Sequence, residues 1–580
     1  MCDAIHRKGV EPDLFGHAGP SAPCTERSSN DRCAPQLGEL LAYNWSLARA
    51  KNRKACAWQG QSQRRSCGWQ ADPRKQERIP ERATRQVREL SKSPPLSKAS
   101  PPRVRSFVSQ SRKASMTRAD AIARAREDFT SGAFLAELDR RVAYKTESQN
   151  PPRGAELRAY LEQEMQPAFA ALDFSSRIVE SPSGKAPFLF AEHHESASAP
   201  TVLVYGHGDV VDGMEGEWRD GRDPWRTNVA GARLYGRGTA DNKGQHSINM
   251  AALRAVREAR GGKLGFNAKF IIEMGEEIGS PDLGKVCDLH RDALKADLFM
   301  ASDGPRLSAD RPTLFLGCRG GIRIHFDVNL RDGGHHSGNW GGVLANPATI
   351  LVNAISTLVD GHGRLQLDAL KPPRLTNQIR SYLADVEVVP TADEPALAEN
   401  WGEEGLSAAE RLYAWNTLEV LAMSSGNIEK PANAIPGQAN AVLQLRFVVG
   451  TKVEGLIEAI RAHLVAKGFP MVEVRAAQSF AASRTDFDSP WIKWAADSVQ
   501  ETTGKAPAVL PNFGGSLPND VFSEILGLPT IWVPHSYPGC SQHAPNEHIL
   551  LPLTEEALTV MAGLFWDLGE LEKPLTGPLT

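Results

Sequence analysis

The sequence lacks long hydrophobic runs. No stretch of 18 or more apolar residues occurs among its 580 residues, although a helix that spans a bilayer needs about 20. The sequence also lacks a large excess of either charge, because its formal net charge is only −3. Proteins that bind nucleic acid or anionic lipid through bulk charge are usually strongly basic. We therefore predict that the protein has no nucleic-acid partner and no membrane partner.

Cysteine is scarce after residue 115. Five of the eight cysteines precede that point, and Cys287, Cys318 and Cys540 follow it. Three thiols scattered over so long a chain form no disulfide framework. They fit a reducing compartment, and we expect the protein to be cytoplasmic.

Residues 1–115 differ from the rest of the chain in charge and pattern. They hold 22 Lys and Arg against 10 Asp and Glu, whereas the other 465 residues hold 44 against 59. They show no hydrophobic periodicity and contain the biased stretch SKSPPLSKASPPRVRS, which is typical of disorder. We interpret them as a disordered basic leader, or as an upstream extension outside the native protein with Met116 as the initiator. A basic interaction tail is the alternative.

From Met116 onward, helical and strand-like segments alternate. The pattern predicts a helix over residues 119–145 and further helices at ELRAYLEQEMQPAFAAL and SINMAALRAVREAR. Short apolar runs between them, such as TVLVY, KFIIEM and ADLFM, predict strands. This alternation is typical of an α/β protein with a mostly parallel sheet. In such sheets, reactive side chains collect at the carboxyl edge.

Each of five predicted strands is followed by side chains suited to binding a metal. They are His207 and Asp209 after TVLVY, Asp241 after RLYGRG, Glu276 and Glu277 after KFIIEM, Asp303 after ADLFM, and His543 after TIWVP. Each signal alone is weak, since such residues more often belong to a polar loop or a solvated turn than to a metal site. Together they favour a catalytic site, because histidine and carboxylate ligands without cysteine suit a catalytic rather than a structural zinc.

Four motifs, YGHGDV, LYGRGTADNKG, MGEEIGSP and ASDGP, occur in this order. Together they resemble the signature blocks of the di-zinc aminoacylase, carboxypeptidase G and dipeptidase family of metallohydrolases, whose members include acetylornithine deacetylase and succinyl-diaminopimelate desuccinylase. The resemblance extends from Met116 to the C-terminus, and the block HHSGNWGG is most similar to the dipeptidase branch. It implies a mostly parallel-sheet α/β hydrolase domain with an inserted α+β lid and dimerisation domain of βαββαβ order.

The resemblance also implies two divalent metal ions, with zinc as the first expectation and manganese or cobalt as alternatives. His207 and Asp303 would bind one ion, Glu277 and His543 the other, and Asp241 would bridge both. All five positions are intact, which argues against an inactive homologue. The sequence departs from the commonest family pattern where Asn replaces a second aspartate after the bridging one, at a position that is not a ligand.

The adjacent glutamates Glu276 and Glu277 would have different roles. Like charges side by side at the end of a buried strand repel each other. The resemblance implies that a cation neutralises Glu277, while Glu276 stays unliganded and acts as the general base that takes a proton from a metal-bridging water. Asp209 would hydrogen-bond His207 and fix its tautomer.

A second structural unit is predicted between Asp303 and His543. The 239 residues between them are too many for a simple connection. They contain the strand-like runs GGIRIHFDVNL, ANAVLQLRFVVG and MVEVRAAQSF and the helical runs NPATILVNAISTLVD and KVEGLIEAIRAHLVAKG. We predict a catalytic domain in two parts, 116–318 and 481–580, separated by a lid and dimerisation domain, 319–480.

The resemblance implies further residues that contact substrate. His336 would cross the dimer to stabilise the oxyanion, although the adjacent His335 is a rival. Arg446 would bind a substrate carboxylate, and its alternative is an ordinary arginine on a strand surface. The remaining substrate-binding positions implied are Asn433, Gly514, Gly515 and Ser516.

The function that follows is hydrolysis of an amide bond by a homodimer. The expected substrates are dipeptides or short peptides with a free carboxylate. The first alternative is an N-acyl amino acid deacylase of the same fold, of the acetylornithine deacetylase or desuccinylase type. The second is a binding module without activity, against which the intact Glu276 argues, because a binder needs no base.

Overall fold

The computed structural model describes residues 116–390 and 394–576. The predicted basic leader, residues 1–115, lies outside the described residues. Within the described residues, no helix combines the length and the apolar character needed to cross a membrane.

In the described part of the chain, the strands belong to one large sheet, one four-stranded sheet and three small ones. In chain order they are β1 (Ser175–Val179), β2 (Phe188–His193), β3 (Thr201–His207), β4 (Asn228–Ala230), β5 (Arg233–Tyr235), β6 (Asn267–Glu273), β7 (Leu298–Ala301), β8 (Thr313–Phe315), β9 (Gly317–Cys318), β10 (Gly320–Asn329), β11 (His335–His336), β12 (Thr417–Ser424), β13 (Ala434–Ile435), β14 (Gln438–Phe447), β15 (Val472–Phe480), β16 (Ser483–Arg484), β17 (Ala508–Leu510), β18 (Thr530–Trp532) and β19 (His548–Leu550).

The helices lie mainly before, between and after these strands. In chain order they are α1 (Arg118–Thr130), α2 (Ala133–Val142), α3 (Gly154–Ala159), α4 (Gln166–Ala171), α5 (Lys243–Ala259), α6 (Leu283–Leu289), α7 (Arg291–Leu294), α8 (Ser337–Trp340), α9 (Pro347–Ser356), α10 (Asn377–Leu383), α11 (Ala408–Ala414), α12 (Leu456–Ala466), α13 (Pro490–Thr503) and α14 (Leu551–Leu568). A π-helical segment, Tyr160–Met165, joins α3 to α4.

The large sheet has eight strands in the order β1-β2-β6-β3-β7-β18-β8-β17. Its central strands β6, β3, β7 and β18 are parallel, and β8 and β17 form another parallel pair. The pairs β1–β2, β2–β6 and β18–β8 are antiparallel. The predicted α/β fold with a mostly parallel sheet is confirmed.

Both faces of the large sheet are covered, as expected for buried parallel strands. Along β3, Val202 and Val204 pack into one hydrophobic cluster, and Leu203 and Tyr205 pack into another on the opposite face. Helices α1, α5, α13 and α14 pack against one another over the first cluster. Helices α6 and α11 contribute residues to the second. The core therefore holds the carboxyl ends of the central strands in fixed positions.

The four-stranded sheet is antiparallel and has the order β12-β14-β10-β15. Helices α9 and α12 pack on one of its faces, where alternate residues of β10 and β14, such as Ile324 and Leu443, form a separate core. The order β10-α9-β12-β14-α12-β15 is the implied βαββαβ, with α10 and α11 added before β12. Strand β12 was not predicted from the sequence, because six of its eight residues are exposed and no apolar alternation marks it.

This sheet is inserted into the large one. Strands β17 and β18 follow it in the chain, yet they pair with β8 and β7, which precede it. The domain limits at residues 318 and 480 stay predictions.

Two local predictions were wrong. The helix predicted over residues 119–145 is two helices, α1 and α2, because Gly132 between them adopts φ = 81°, which a continuing helix cannot accommodate. Strand β5, which precedes Asp241, lies outside the large sheet and pairs with β4 and β19. Asp241 therefore reaches the site from a loop and not from the edge of the large sheet.

We predict that Phe270→Ala destabilises the protein strongly. Phe270 in β6 is fully buried, and its ring centroid lies 5.0 Å from that of Phe169. Removing the ring leaves a cavity, which should cost about 3–5 kcal/mol of unfolding free energy, measured by urea denaturation. The control Leu289→Ala, at a residue that is 73% exposed, should cost less than about 0.5 kcal/mol. Equal effects of the two changes would contradict the packing.

Candidate active site

Three neighbouring strands of the large sheet lead into candidate metal ligands. Strand β3 ends at His207, β6 is followed by the turn that contains Glu276 and Glu277, and β7 is followed by Asp303. Because these strands are parallel and adjacent, their carboxyl ends meet at one edge. His207 and Asp303 are buried there.

Asp241 lies between two imidazoles. Its Oδ1 is 2.9 Å from Nε2 of His207, and its Oδ2 is 2.9 Å from Nε2 of His543. The same Nε2 of His207 is 3.5 Å from Oδ2 of Asp303, and that of His543 is 3.2 Å from Oε2 of Glu277. The five side chains therefore form two groups of three that share Asp241.

These two groups fit divalent cations. In each group, ligand atoms of the three residues lie within 4.8 Å of one another. Among the described residues, the buried oxygens Oδ2 of Asp303 and Oε1 of Glu277 have no hydrogen-bond partner, which is unfavourable unless a cation binds them. The donors are imidazole nitrogens and carboxylate oxygens, a set that suits zinc and several related ions. The residues present thus fit a centre of two cations with Asp241 shared between them.

Crowding and burial shift the pKa values of the carboxyl groups. Burial raises the pKa of Asp303, and burial with the charge of Asp241 raises the pKa of Glu277 to about 7. Burial raises the pKa of Glu276 well above its ordinary value, and the charges of Asp303 and Glu277 add to that effect. The positive charge of bound cations would offset this repulsion.

Asp209 connects the turn of the two glutamates to His207. Its carboxylate oxygens accept the backbone N–H groups of Glu276 and Glu277 at 3.2 and 3.1 Å. Its Oδ1 lies 3.4 Å from Nδ1 of His207, and its backbone carbonyl lies 3.0 Å from the same nitrogen. An imidazole whose Nδ1 faces acceptors presents Nε2 to its other neighbours. Asp209 therefore orients both the histidine and the glutamate turn.

Glu547 anchors the loop that carries Asp241. Its buried carboxylate accepts the backbone N–H groups of Gly238, Ala240 and Asp241 and a guanidinium N–H of Arg237, at 2.8–3.1 Å. Glu547 was not predicted from the sequence. No motif marks it, and Ala240, one of its partners, lies 307 residues earlier in the chain.

The loop that carries His543 has an unusual backbone. Ser541, His543 and Asn546 adopt positive φ angles of 58°, 58° and 69°, a region that residues other than glycine rarely occupy. Gln542, which the sequence analysis also missed, donates from Nε2 to Oδ2 of Asp241 at 2.7 Å. The side chain of His543 is 56% exposed, so this side of the candidate centre faces the surface.

A cavity of about 190 Å³ lies beside Glu276. Arg446 of β14 and Ser516 also line it, so the four-stranded sheet and a loop that follows a strand of the large sheet both contribute to its walls. Arg446 donates from Nη1 to the hydroxyl oxygen of Ser516 at 2.8 Å. Gly514 and Gly515 precede Ser516 in the same loop. The structure thus brings three of the predicted residues, Glu276, Arg446 and Ser516, to one cavity.

His336 and Asn433 lie close to each other in the structure, away from the cavity beside Glu276. His336 belongs to β11, which pairs with β13 just after Asn433. Nδ1 of His336 accepts the backbone N–H of Gly338, and the carbonyl of Asn433 accepts that of Ser337. Both residues are exposed. Neither is among the described residues that line the cavity beside Glu276.

Two candidate cation positions that share a carboxylate, with a further glutamate facing a cavity, are typical of a metal-dependent hydrolase. Comparison with known proteins agrees with this class. Residues 203–567 match the family model described as peptidase family M20/M25/M40. Because the match spans more than half of the chain, the protein belongs to this family and is a metal-dependent peptidase.

Curated relatives of the chain include two dipeptidases. The chain is 30% identical over 339 residues to the cysteinylglycine-S-conjugate dipeptidase of Corynebacterium striatum, covering 55% of this chain and 70% of the relative. It is 25% identical over 403 residues to the beta-Ala-His dipeptidase of Homo sapiens, covering 66% and 78%.

Solved structures share the fold. The dipeptidase Dug1p from Saccharomyces cerevisiae aligns with a TM-score of 0.65 at 18% identity, covering 79% of this chain and 99% of that one. Human carnosine dipeptidase 1 aligns with a TM-score of 0.62 at 23% identity, covering 78% and 99%. At these identities the likeness concerns the fold.

We predict that Glu547→Gln weakens metal binding. The change leaves one carbonyl oxygen where two carboxylate oxygens hold the loop of Asp241, so the loop should lose its fixed position. Affinity for zinc, measured by calorimetric titration of metal-stripped protein, should fall by about 10–100-fold. The control Glu572→Gln, at an exposed residue, should leave the affinity unchanged. Equal affinities in both variants would show that Glu547 does not position Asp241.

Proposed function

We propose that the protein is a dipeptidase that hydrolyses dipeptides and short peptides with a free C-terminal carboxylate. The observation that carries this proposal is that Glu276, beside the candidate cation centre, and Arg446 line the same cavity. A peptide whose carboxylate binds Arg446 would present an amide bond to Glu276. The names of the curated relatives, a cysteinylglycine-S-conjugate dipeptidase and a beta-Ala-His dipeptidase, support this substrate class.

Five residues are the proposed ligands of two cations, for which zinc is the first candidate and manganese or cobalt the alternatives. His207 and Asp303 would hold one cation, Glu277 and His543 the other, and Asp241 both. The unpartnered oxygens of Asp303 and Glu277 support this assignment. When bound, the cations would lower the pKa of water and polarise the substrate carbonyl.

Glu276 is the proposed general base. Its carboxylate accepts a proton from the attacking water and then donates it to the leaving nitrogen. Asp209 holds the backbone of Glu276 in place through the hydrogen bond described above. The next residue, Glu277, lies 3.2 Å from His543. The two adjacent glutamates therefore have separate tasks, one in proton transfer and one in ligation.

Arg446 is the proposed carboxylate-binding residue. A guanidinium binds a carboxylate through two parallel N–H donors, and the half-buried side chain of Arg446 is steadied by the hydroxyl of Ser516. Backbone N–H groups of Gly514 and Gly515 are proposed to complete this subsite. Asn433, which lies beside His336 outside this cavity, is proposed to contact another part of the substrate. Holding the carboxylate fixes the distance between the amide bond and Glu276.

The alternative substrate is an N-acyl amino acid, which carries the same free carboxylate. A deacylase would use Arg446 and Glu276 in the same way, with an acyl group in place of the N-terminal residue. The dipeptidase names of the two curated relatives favour the dipeptide.

We also propose that the working unit is a homodimer in which His336 of each chain stabilises the oxyanion in the site of the other. The exposed position of His336 outside the cavity supports a role across an interface. Strand β12, at the edge of the four-stranded sheet, exposes Val420, Leu421 and Met423. Apolar residues on an unpaired edge strand are typical of a surface that another chain covers.

A cytoplasmic location is proposed as well. In the described part of the chain, Cys287, Cys318 and Cys540 are free and buried. Unpaired thiols of this kind are typical of proteins in a reducing compartment.

We predict that Glu276→Gln abolishes most activity while preserving metal binding. Glutamine is nearly isosteric but accepts no proton, so kcat for dipeptides should fall by a factor of about 10²–10⁴. Turnover of a panel of dipeptides, N-acetyl amino acids and N-succinyl amino acids is measured with zinc, with manganese and with a chelator. The chelator should remove activity, and the panel should show dipeptides as the preferred class.

The control for this variant is Glu429→Gln, at an exposed residue, which should behave as the unmodified protein. Preference for acyl amino acids would replace the dipeptidase proposal with the deacylase. Stoichiometric metal binding without turnover of any panel member would contradict both.

We predict that two inactive variants complement each other. In a heterodimer of His336→Ala and Glu276→Gln chains, the site that contains an intact Glu276 receives His336 from the partner. Heterodimers, purified through a different affinity tag on each chain, should show about half of the activity of the unmodified dimer. Activity no higher than that of either variant alone would show that His336 does not act across the interface.

A further inference from the structure

A second arginine lines the cavity that contains Glu276 and Arg446. Arg323 lies on β10, directly opposite Gln444 of β14, and Gly321 lies opposite Arg446. Cross-strand partners and residues two apart share one face of a sheet. Arg323, Gln444 and Arg446 all line the cavity, whereas the intervening residues of both strands pack into the core under α9 and α12.

The space between the two arginines is kept open by Gly321. A Cβ atom at this position would lie 2.9 Å from Nε2 of Gln444 and 3.5 Å from Oγ of Ser516. Any larger side chain there would project between Arg323 and Arg446. Arg323 and Arg446 are diagonal neighbours across the antiparallel pair, because Arg446 lies two residues from Gln444, the direct partner of Arg323. Such neighbours have Cα atoms about 7–8 Å apart. Two long arginine side chains at this separation can both reach one small ligand between them.

The positive charge of the two arginines is not balanced by the protein. In the part of the chain that the structure describes, neither guanidinium is ion-paired with a carboxylate, and Arg446 donates to the neutral hydroxyl of Ser516. Among the described residues, Glu276 is the one acidic residue that lines the cavity, and the proposed function assigns it to proton transfer. Glu419 lies opposite Gln444 on the edge strand β12, two strands away from Arg323, and is exposed.

The charge of Arg323 also acts on Arg446. Burial lowers the pKa of Arg446, and the nearby charge of Arg323 lowers it further. Two cations that share a half-buried cavity repel each other, and an anion between them removes that cost. A ligand with one carboxylate would balance the charge of Arg446 only. A second carboxylate in the same ligand would balance the charge of Arg323.

We infer that the enzyme prefers substrates whose C-terminal residue is aspartate or glutamate, with Arg446 bound to the α-carboxylate and Arg323 to the side-chain carboxylate. The inference rests on the proposed function, because it takes the C-terminal residue to lie at Arg446. Arg323 is then a specificity-determining residue. Each guanidinium presents a fork of N–H donors that matches one carboxylate.

The test compares Ala-Glu with Ala-Gln, which differ mainly in the charge of the C-terminal side chain. The ratio of kcat/KM for Ala-Glu to that for Ala-Gln should be about tenfold or more in the unmodified enzyme. Arg323→Gln should reduce this ratio to near one, and Arg323→Lys should give an intermediate value, because lysine keeps the charge without the fork.

The matched control is Arg475→Gln. Arg475 is an exposed arginine on the neighbouring strand β15; it is ion-paired with Asp327 at 3.2 Å and lies outside the lining of the cavity. Its replacement removes one positive charge from the same sheet, so the ratio should stay as in the unmodified enzyme. An equal loss in both variants would show a general charge effect and would overturn the inference.

Other outcomes also overturn it. These are equal kcat/KM values for the two dipeptides, an Arg323→Gln variant that keeps the preference, or an acidic preference that appears for Glu-Ala over Gln-Ala instead.

Failure of the proposed function would be recognised separately, because no dipeptide would then be hydrolysed. In that case, calorimetric titration with free L-glutamate and L-glutamine tests whether Arg323 binds the side-chain carboxylate. Tighter binding of glutamate that Arg323→Gln removes would support the inference, and equal binding would overturn it.

Discussion

The two carboxylate oxygens of Asp241 each lie 2.9 Å from the Nε2 atom of a different histidine, His207 or His543. His207 is fixed at the end of a buried parallel strand, whereas His543 follows Asp241 by 302 residues and belongs to a loop with a left-handed backbone. Their meeting at one carboxylate requires that the loop of Asp241 be held rigidly. Glu547 supplies this rigidity by accepting three backbone N–H groups of that loop.

The same arrangement explains why the two adjacent glutamates can coexist. Asp209 accepts the backbone N–H groups of both Glu276 and Glu277 and also faces Nδ1 of His207. One buried carboxylate thereby sets the position of a proposed base, a proposed ligand and an imidazole. Bound cations would neutralise the crowded carboxylates. The inserted four-stranded sheet brings Arg446 to the cavity that Glu276 also lines. The large sheet and the four-stranded sheet thus each contribute residues to the cavity.

Much of this arrangement could be predicted from sequence because it follows periodic patterns. The apolar runs before His207, Glu276 and Asp303 are buried strands of one sheet, so their ends had to converge. Other features depend on contacts distant in sequence. Nothing local marks Glu547 as the anchor of Asp241, and the exposed residues of β12 carry no strand pattern. The break between α1 and α2 depends on the backbone angle of the single residue Gly132. The residues on both sides of it have helical patterns, so the sequence gives no sign of the break.

The central claim is that Asp241 is shared by two cations, and crystallography with anomalous scattering tests it most directly. Crystals of the full chain grown with zinc would be measured above and below the zinc absorption edge. The account predicts two anomalous peaks, one contacted by His207 and Asp303 and the other by Glu277 and His543, with an oxygen of Asp241 bound to each. A single peak, or zinc bound away from Asp241, would contradict it.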